Sequence, residues 1–197
     1  QVALDPELLG KVFENLLGAY NPETKETARN QSGSFYTPRE IVQYMVNESL
    51  VAHLKRTVDD KLEDKFRQLL DFTTQEVELT DEQKRQIIHA LFTCKILDPA
   101  CGSGAFPMGM LQQMVHILRQ VDPKNEQWRE VLLDMASDDS RRAFGIADEE
   151  ERNKKLDEIK EAFNNALNSP EYTRKLSIIE SCIYGFDIKP IAIQITR

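Results

Sequence analysis

Seven residues, Asp98-Pro99-Ala100-Cys101-Gly102-Ser103-Gly104, stand where a short apolar segment, Cys94-Lys95-Ile96-Leu97, gives way to a helical pattern. Strand, glycine turn and helix in that order make a ligand cradle. Small residues let a ligand lie against the backbone, and the start of the helix presents unpaired N–H groups. The dinucleotide fingerprint asks for a third Gly or Ala where Pro107 stands, and for a strand-end acid roughly 20 residues on, whereas the next strand-end acid here, Asp187, comes 89 positions after Asp98. A phosphate-binding P-loop is excluded as well, because no Gly-Lys-Ser/Thr follows to neutralise a triphosphate.

The acids favour a different ligand. Asp98 at the end of the first strand repels phosphate and suits an amino group. Asp187, in the second apolar segment Cys182–Ile188, is placed to accept hydrogen bonds from ribose hydroxyls. A nucleoside with a cationic amino-acid tail meets both demands, and S-adenosylmethionine is such a molecule. Each residue also has a plainer reading: Asp98 and Asp187 as strand-end caps, and Tyr36 as an aromatic that staples a helix to the core. Cys101 lies inside the glycine turn and reads as a small turn-lining side chain, not a nucleophile. His53, His89 and His116 fall on separate helical stretches with no ligand-spaced acid or cysteine, so no metal is expected. Glu149-Glu150-Glu151 reads as a solvated helix start.

The elements that would carry these residues are mostly helices. Asp5-Pro6 opens an apolar stripe, Leu8, Leu9, Val12, Phe13, Leu16 and Leu17, which Gly18 ends. Residues 19 to 34 carry no periodicity and read as a long loop. Thr37-Pro38-Arg39-Glu40 has the form of a capping box, and the spacing predicts a helix from 38 to about 54 with Ile41, Val42, Met45 and Leu50 inward. Val58, Leu62, Phe66 and Leu69 continue a helical stripe, and Thr80 to Gln83 repeats the capping pattern ahead of Ile87, Ile88 and Leu91. After the glycine turn, a helix over about 105–120 would bury Met108, Leu111, Val115 and Leu118. Residues 122 to 175 read as charged helices marked by Trp128, Leu132 and Met135, then by Leu156, Ile159, Phe163 and Leu167. Ser169-Pro170 caps a short helix ending near Glu180, the second strand runs from Cys182 to Ile188, and Lys189-Pro190 opens another helix.

At 197 residues, 41% hydrophobic and 29% charged, the chain has the balance of a folded globular protein. Its 25 Lys and Arg against 33 Asp and Glu give a formal charge of -8, so as a whole it is not a basic nucleic-acid glove. Three cysteines at these spacings match neither a disulfide framework nor a CxxC knuckle and point to a reducing compartment. No apolar run reaches the roughly 18 residues of a membrane span. The chain opens on Gln1, not Met, and is expected to be a piece of a longer protein.

Three ordered segments carry a family resemblance: Ser34-Phe35-Tyr36-Thr37-Pro38; Ile96-Leu97 through Gly104-Ala105-Phe106; and Ile183-Tyr184-Gly185-Phe186-Asp187-Ile188-Lys189-Pro190. In that order they resemble the motifs of N6-adenine-specific DNA methyltransferases, gamma-type in arrangement. The likeness is to large fused restriction-modification enzymes of type II and to related phage-defence methylases. Leu9-Gly10-Lys11-Val12-Phe13-Glu14 resembles the helix preceding the Tyr-Thr-Pro motif in those enzymes.

The resemblance implies an α/β fold, in which a mostly helical N-terminal portion leads into the start of a Rossmann-like methyltransferase sheet that this chain does not complete. It implies an N-terminal helical region over 1–54, a helical insertion over 55–92, the first strand, glycine loop and helix over 93–121, a second insertion over 122–180, and the second strand over 181–197. The implied cofactor is S-adenosylmethionine. Its binding residues would be Tyr36, Thr37 and Pro38 packing over it, Asp98, Pro99, Ala100, Cys101, Gly102, Ser103 and Gly104 holding its methionine part, and Asp187 with Ile188 at the ribose. Double-stranded DNA is the implied partner, met mostly through regions outside this chain, in a bacterial cytoplasm. The family's catalytic Asn/Asp-Pro-Pro-Tyr/Phe tetrapeptide is absent from the sequence, and Asn21-Pro22-Glu23 lacks its second Pro and its aromatic. No catalytic residue is therefore assigned, and the fragment alone is expected to be inactive. Two other readings stay open: a non-catalytic binding or scaffold module of a defence complex, and a methyltransferase for another substrate.

Overall fold

The computed structural model describes residues 20–21, 26–27, 37–74, 76–168 and 170–188, without the side chains of 20, 21, 26, 27, Leu132, Met135 and 162–170. The stripe at Leu8 to Leu17, Tyr36, the side chains of Phe163 and Leu167, and Lys189-Pro190 lie outside the described residues.

In chain order the elements are β1 (Tyr20–Asn21), β2 (Glu26–Thr27), α1 (Arg39–Thr57), a 3-10 turn (Asp60–Leu62), α2 (Glu63–Leu70), α3 (Asp81–Thr93), β3 (Ile96–Asp98), α4 (Ala105–Val121), α5 (Glu126–Phe144), α6 (Glu149–Asn168), α7 (Pro170–Cys182) and β4 (Ile183–Gly185). β1 and β2 pair antiparallel, Tyr20 opposite Thr27, so the expected loop over 19–34 contains a short paired segment. Pairing of two residues a side is too brief to leave an alternating pattern in the sequence. β3 and β4 form a two-stranded parallel sheet. The architecture is thus helical with a small α/β element. The chain divides into two compact units, one of residues 1–46, 97–109 and 185–197, the other of 47–96 and 110–184.

The larger unit is a helical core. Leu50, Leu54, Phe66, Leu69, Ile87, Ile88, Leu91, Met114, Ile117, Leu118, Trp128, Ile178 and Cys182 are all buried in it. α5 packs along α6, α6 on α7, and α3 against both α5 and α7. Thr80 starts α3 with a capping box: its hydroxyl accepts from Gln83 N (3.2 Å) and the Gln83 side chain accepts from Thr80 N (3.0 Å). Asp148 caps α6, accepting from Glu151 N at 2.8 Å, and Glu149 to Glu151 are solvated as expected. Asp122 serves the start of α5 from within the core. Its two carboxylate oxygens accept from Glu126 N (2.9 Å) and Trp128 N (2.8 Å), while Asn125 takes a left-handed φ of 59°. Arg174 of α7 donates to the Asp122 carbonyl (3.0 Å) and stands 3.9 Å from its carboxylate, with both side chains almost fully buried.

Several expected inward faces are rotated. On α1 the buried positions are Val42, Val46, Leu50, Val51 and Leu54, whereas Ile41 and Met45 are each 49% exposed. A helix buries one stripe, and the row Val42-Val46-Leu50-Leu54 at four-residue spacing excludes its neighbours. On α4, Met108 is exposed and Leu111 half-buried, while Met110, Gln113, Met114, Ile117 and Val121 join Val115 and Leu118 inside. The stripe at Val58 to Leu69 is broken by the 3-10 turn, capped by Asp59, so only Phe66 and Leu69 of the four are buried. The second strand is three residues long, because Cys182 still belongs to α7 and Asp187 lies past the strand end.

Candidate functional site

The glycine loop lies in the smaller unit and closes by backbone hydrogen bonds to the segment after β4. Phe186 N donates to the Asp98 carbonyl (2.8 Å), and Cys101 N donates back to the Phe186 carbonyl (3.0 Å). Gly104 N then turns onto the Cys101 carbonyl (2.8 Å), and Met108 N onto Gly104 (2.9 Å), which launches α4. Gly102 (φ 53°) and Gly104 (φ 86°) are both left-handed, a conformation that glycine takes without steric cost. A Cβ on Gly102 would meet nothing nearer among the described residues than the Ala100 carbonyl at 4.0 Å, so there is room at that position of the turn.

The two acids singled out by sequence come together on this loop. Asp98 Oδ1 accepts from Ala100 N (3.1 Å), an Asx turn that shapes the loop's first step. Asp98 Oδ2 is buried and has no hydrogen-bond partner among the described residues. Asp187 Oδ2 accepts from Gly102 N at 2.9 Å across 85 residues of sequence. Cys101 is buried beneath the turn, Gly102 is half-buried, and Pro99, Ala100 and Ser103 are exposed. Ile188 is 81% and Phe186 59% exposed beside Asp187. Thr37 is half-buried and Pro38 exposed, and the Pro38 carbonyl accepts from Ile41 N and Val42 N to begin α1.

Two glycines to which the sequence assigned no role, Gly185 and Gly109, hold this arrangement at close range. A Cβ on Gly185 would lie 3.1 Å from Cys101 Sγ, so β4 approaches the buried face of the turn closely. A Cβ on Gly109 would lie 2.9 Å from Val42 Cγ1 and 3.4 Å from Val46 Cγ2, so the first turns of α4 rest on α1. That contact links the helix opened by Thr37-Pro38 to the helix that follows the loop. The signal was the glycine itself at the fifth position of a helix, where it has no conformational reason to be.

A buried acceptor without a donor, beside an open left-handed glycine turn, suits a ligand bearing an ammonium or another N–H donor. A second concavity of about 410 Å³, in the larger unit, is lined by Glu48, Lys55, Arg56, Asp60, Glu63 and Arg67. Four of its charges are mutually engaged. Arg67 donates to Glu48 (2.6 Å) and Glu63 (2.8 Å), and Lys55 pairs with Glu63. Arg67 holds the Glu48 carboxyl below the usual range, and Lys55 with Arg67 does the same for Glu63. A ligand there would have to displace an ion pair, so the glycine loop is the candidate site. Among the described residues no group of histidine, cysteine and acidic side chains is arranged to hold a metal, and no helix is long and apolar enough to cross a membrane.

The chain is 25% identical over 213 residues to a protein of Methanocaldococcus jannaschii assigned, by name only, as a type II restriction enzyme and methyltransferase. The match covers the whole of this chain. It spans 14% of that protein's length. The chain is thus distantly similar to a restriction-modification methyltransferase. No protein-family model matches it, and no solved structure does.

Proposed function

We propose that this chain is the S-adenosylmethionine-binding part of an adenine-N6 DNA methyltransferase belonging to a restriction-modification enzyme. The observation that carries the reading is the convergence of Asp98 and Asp187 on one open glycine turn, with Asp98 Oδ2 left without a donor. The order of the three motif segments and the similarity to a protein named as restriction enzyme and methyltransferase support it.

Bound there, S-adenosylmethionine would supply an electrophilic methyl on sulfur. The chain's own residues bind and orient. Asp98 accepts from the ammonium, the left-handed glycines keep side chains away from the methionine part, and Asp187 accepts from ribose while fixing the Gly102 N–H. Thr37 and Pro38, with Tyr36 before them, would cover the cofactor, and Ile188 would pack beside the ribose. Since the sequence lacks the Asn-Pro-Pro-Tyr tetrapeptide, adenine recognition and transfer belong to other parts of a longer protein, as does the grip on double-stranded DNA.

Calorimetric titration of the folded chain with S-adenosylmethionine tests this reading. Asp98→Asn is expected to weaken binding by about 1.5–3 kcal/mol, roughly ten- to a hundredfold, for the loss of a charge-assisted hydrogen bond. Asp187→Asn, which keeps an acceptor for Gly102 N, should weaken it less than Asp187→Ala. Binding unchanged in both Asp98→Asn and Asp187→Ala would remove the site. No heat from a chain shown to be folded would favour the scaffold module.

A further inference from the structure

In the larger unit, side chains of α4 reach the end of α2. The last carbonyls of α2 have no donors within their own helix. Two glutamines of α4 reach them: Gln113 Nε2 donates to the Leu70 carbonyl (2.5 Å) and Gln120 Nε2 to the Leu69 carbonyl (3.1 Å). One turn before Gln120, the His116 ring stacks on Phe72, centroids 4.1 Å apart and planes inclined 30°. His116 Nε2 lies 2.7 Å from Gln120 Nε2.

Two nitrogens at that distance attract only if one offers a lone pair. The Gln120 amide cannot be turned round, since its oxygen would then face the Leu69 carbonyl oxygen. The lone pair is therefore on the imidazole, which is neutral with its proton on Nδ1. The backbone of Asp71 accepts a hydrogen bond from the ring. Gln120 spends one N–H on His116 and the other on Leu69, while its Oε1 is buried with no partner among the described residues. An imidazolium would bear N–H groups on both sides and set a proton against the Gln120 NH2. The only relief within reach, reversing the amide, gives up the bond to Leu69.

We propose that His116 and Gln120 form a proton-operated latch, closed when His116 is neutral and tying α4 to the end of α2, and released when His116 is protonated. The charged groups facing the ring are Asp71 and Arg119. Asp71 lies in the segment after α2, where its carboxylate is engaged by Thr73 N and Oγ1 (both 2.8 Å). Arg119 of α4 itself is held by Glu171 of α7 (3.0 Å). Burial is the largest influence and pulls His116 below its ordinary value of 6.5, against the hydrogen bond to the Asp71 backbone. A histidine depressed in the folded state contributes stability that is fully present above the unfolded value of about 6.5 and is lost as pH falls through the folded one. The latch is thus closed at neutral pH and opens in mild acid.

Heteronuclear NMR of the 197-residue chain between about pH 8 and pH 5 tests this, with the His116 ring assigned by the resonance that His116→Asn removes. The expected result is an Nδ1–H tautomer at neutral pH, a His116 midpoint below that of free histidine, and Gln120 side-chain amide signals that shift with the same midpoint. Gln120→Glu, which puts an acceptor beside the ring, should raise the midpoint above that of free histidine and reverse the pH trend of the melting temperature. An Nε2–H tautomer, Gln120 amide signals indifferent to the titration, or an unaltered midpoint in Gln120→Glu would each overturn the latch. The tautomer and the Gln120 signals need no variant, so they decide the question even if the substitution prevents folding.

Discussion

Replacing Asp122 by alanine should be among the most damaging single changes in the larger unit, and the structure says by how much. Two things are lost. The carboxylate caps α5 through Glu126 N and Trp128 N, and losing such a cap costs about 1 kcal/mol. It also balances Arg174, whose side chain is 2% exposed, and breaking a buried ion pair by removing one partner costs about 3–5 kcal/mol. The lower end applies, because the ionic separation is 3.9 Å and Arg174 retains its bond to the Asp122 carbonyl at 3.0 Å. The expected loss is about 4 kcal/mol, a large part of the 5–15 kcal/mol that holds a domain together. Trp128, the chain's single tryptophan, is buried and donates its backbone N–H to the Asp122 carboxylate, so urea denaturation followed by its fluorescence reads the unit concerned. The diagnostic comparison is Asp122→Ala with Asp122→Ala/Arg174→Met. If the charge argument holds, the double variant recovers about 2 kcal/mol, since a methionine has no charge to leave unpaired. Equal destabilisation of the two would refute it and leave only the cap, and a loss under about 1 kcal/mol in the single variant would refute both parts.

Other expectations concern the loop and the thiols. Gly102→Ala meets open space but keeps a left-handed φ, so it should cost about 1 kcal/mol of backbone strain, seen as a lower melting temperature; no change would mean the turn is not held as described. Gly109→Ala gains about 1 kcal/mol of helix propensity but overpacks Val42 at a cost of about 1–3 kcal/mol, so a net loss is expected, relieved by Val42→Ala. A stabilised Gly109→Ala would contradict the close approach of α1 and α4. Cys94, Cys101 and Cys182 are all buried, and burial pushes the Cys182 thiol up to about 11 and raises Cys94 as well. A disulfide reagent at mildly alkaline pH should therefore label the folded chain slowly and all three thiols only after denaturation; rapid labelling of the native chain would be inconsistent with that burial.

Legibility in the sequence followed the range of the interactions. The Thr80–Gln83 capping box and the buried Ile87, Ile88 and Leu91 were readable because caps and helical stripes are local. The loop's place between strand and helix was readable for the same reason. The inward face of α1 was not, because Ile41, Val42, Met45 and Val46 are all apolar, and it is tertiary packing, as of Val42 and Val46 on Gly109, that selects between them. Asp122 passed as one charge among many in residues 122–175, since nothing local shows that Arg174, 52 positions on, will be buried against it. At the site, sequence nominated Asp98 and Asp187 separately. That Asp187 fixes the loop through Gly102 N, and that Gly185 and Phe186 shape it from below, are facts of tertiary pairing with no local trace.

The distance along the chain between the loop and its anchor bears on how the protein is made. Gly102 and Asp187 are 85 residues apart, and closing a free loop of that length costs about 2 kcal/mol more than closing one of ten residues. The helices between them remove most of that penalty. Lys95 donates to the Ser181 carbonyl and Cys182 Sγ contacts the Leu91 and Phe92 carbonyls, so the helical unit by itself draws the residue before β3 to the residue before β4. On a ribosome the glycine turn would emerge without its carboxylate and stay unset while α5, α6 and α7 are synthesised and docked. The turn is therefore set late in synthesis, once Phe186 and Asp187 have joined the chain.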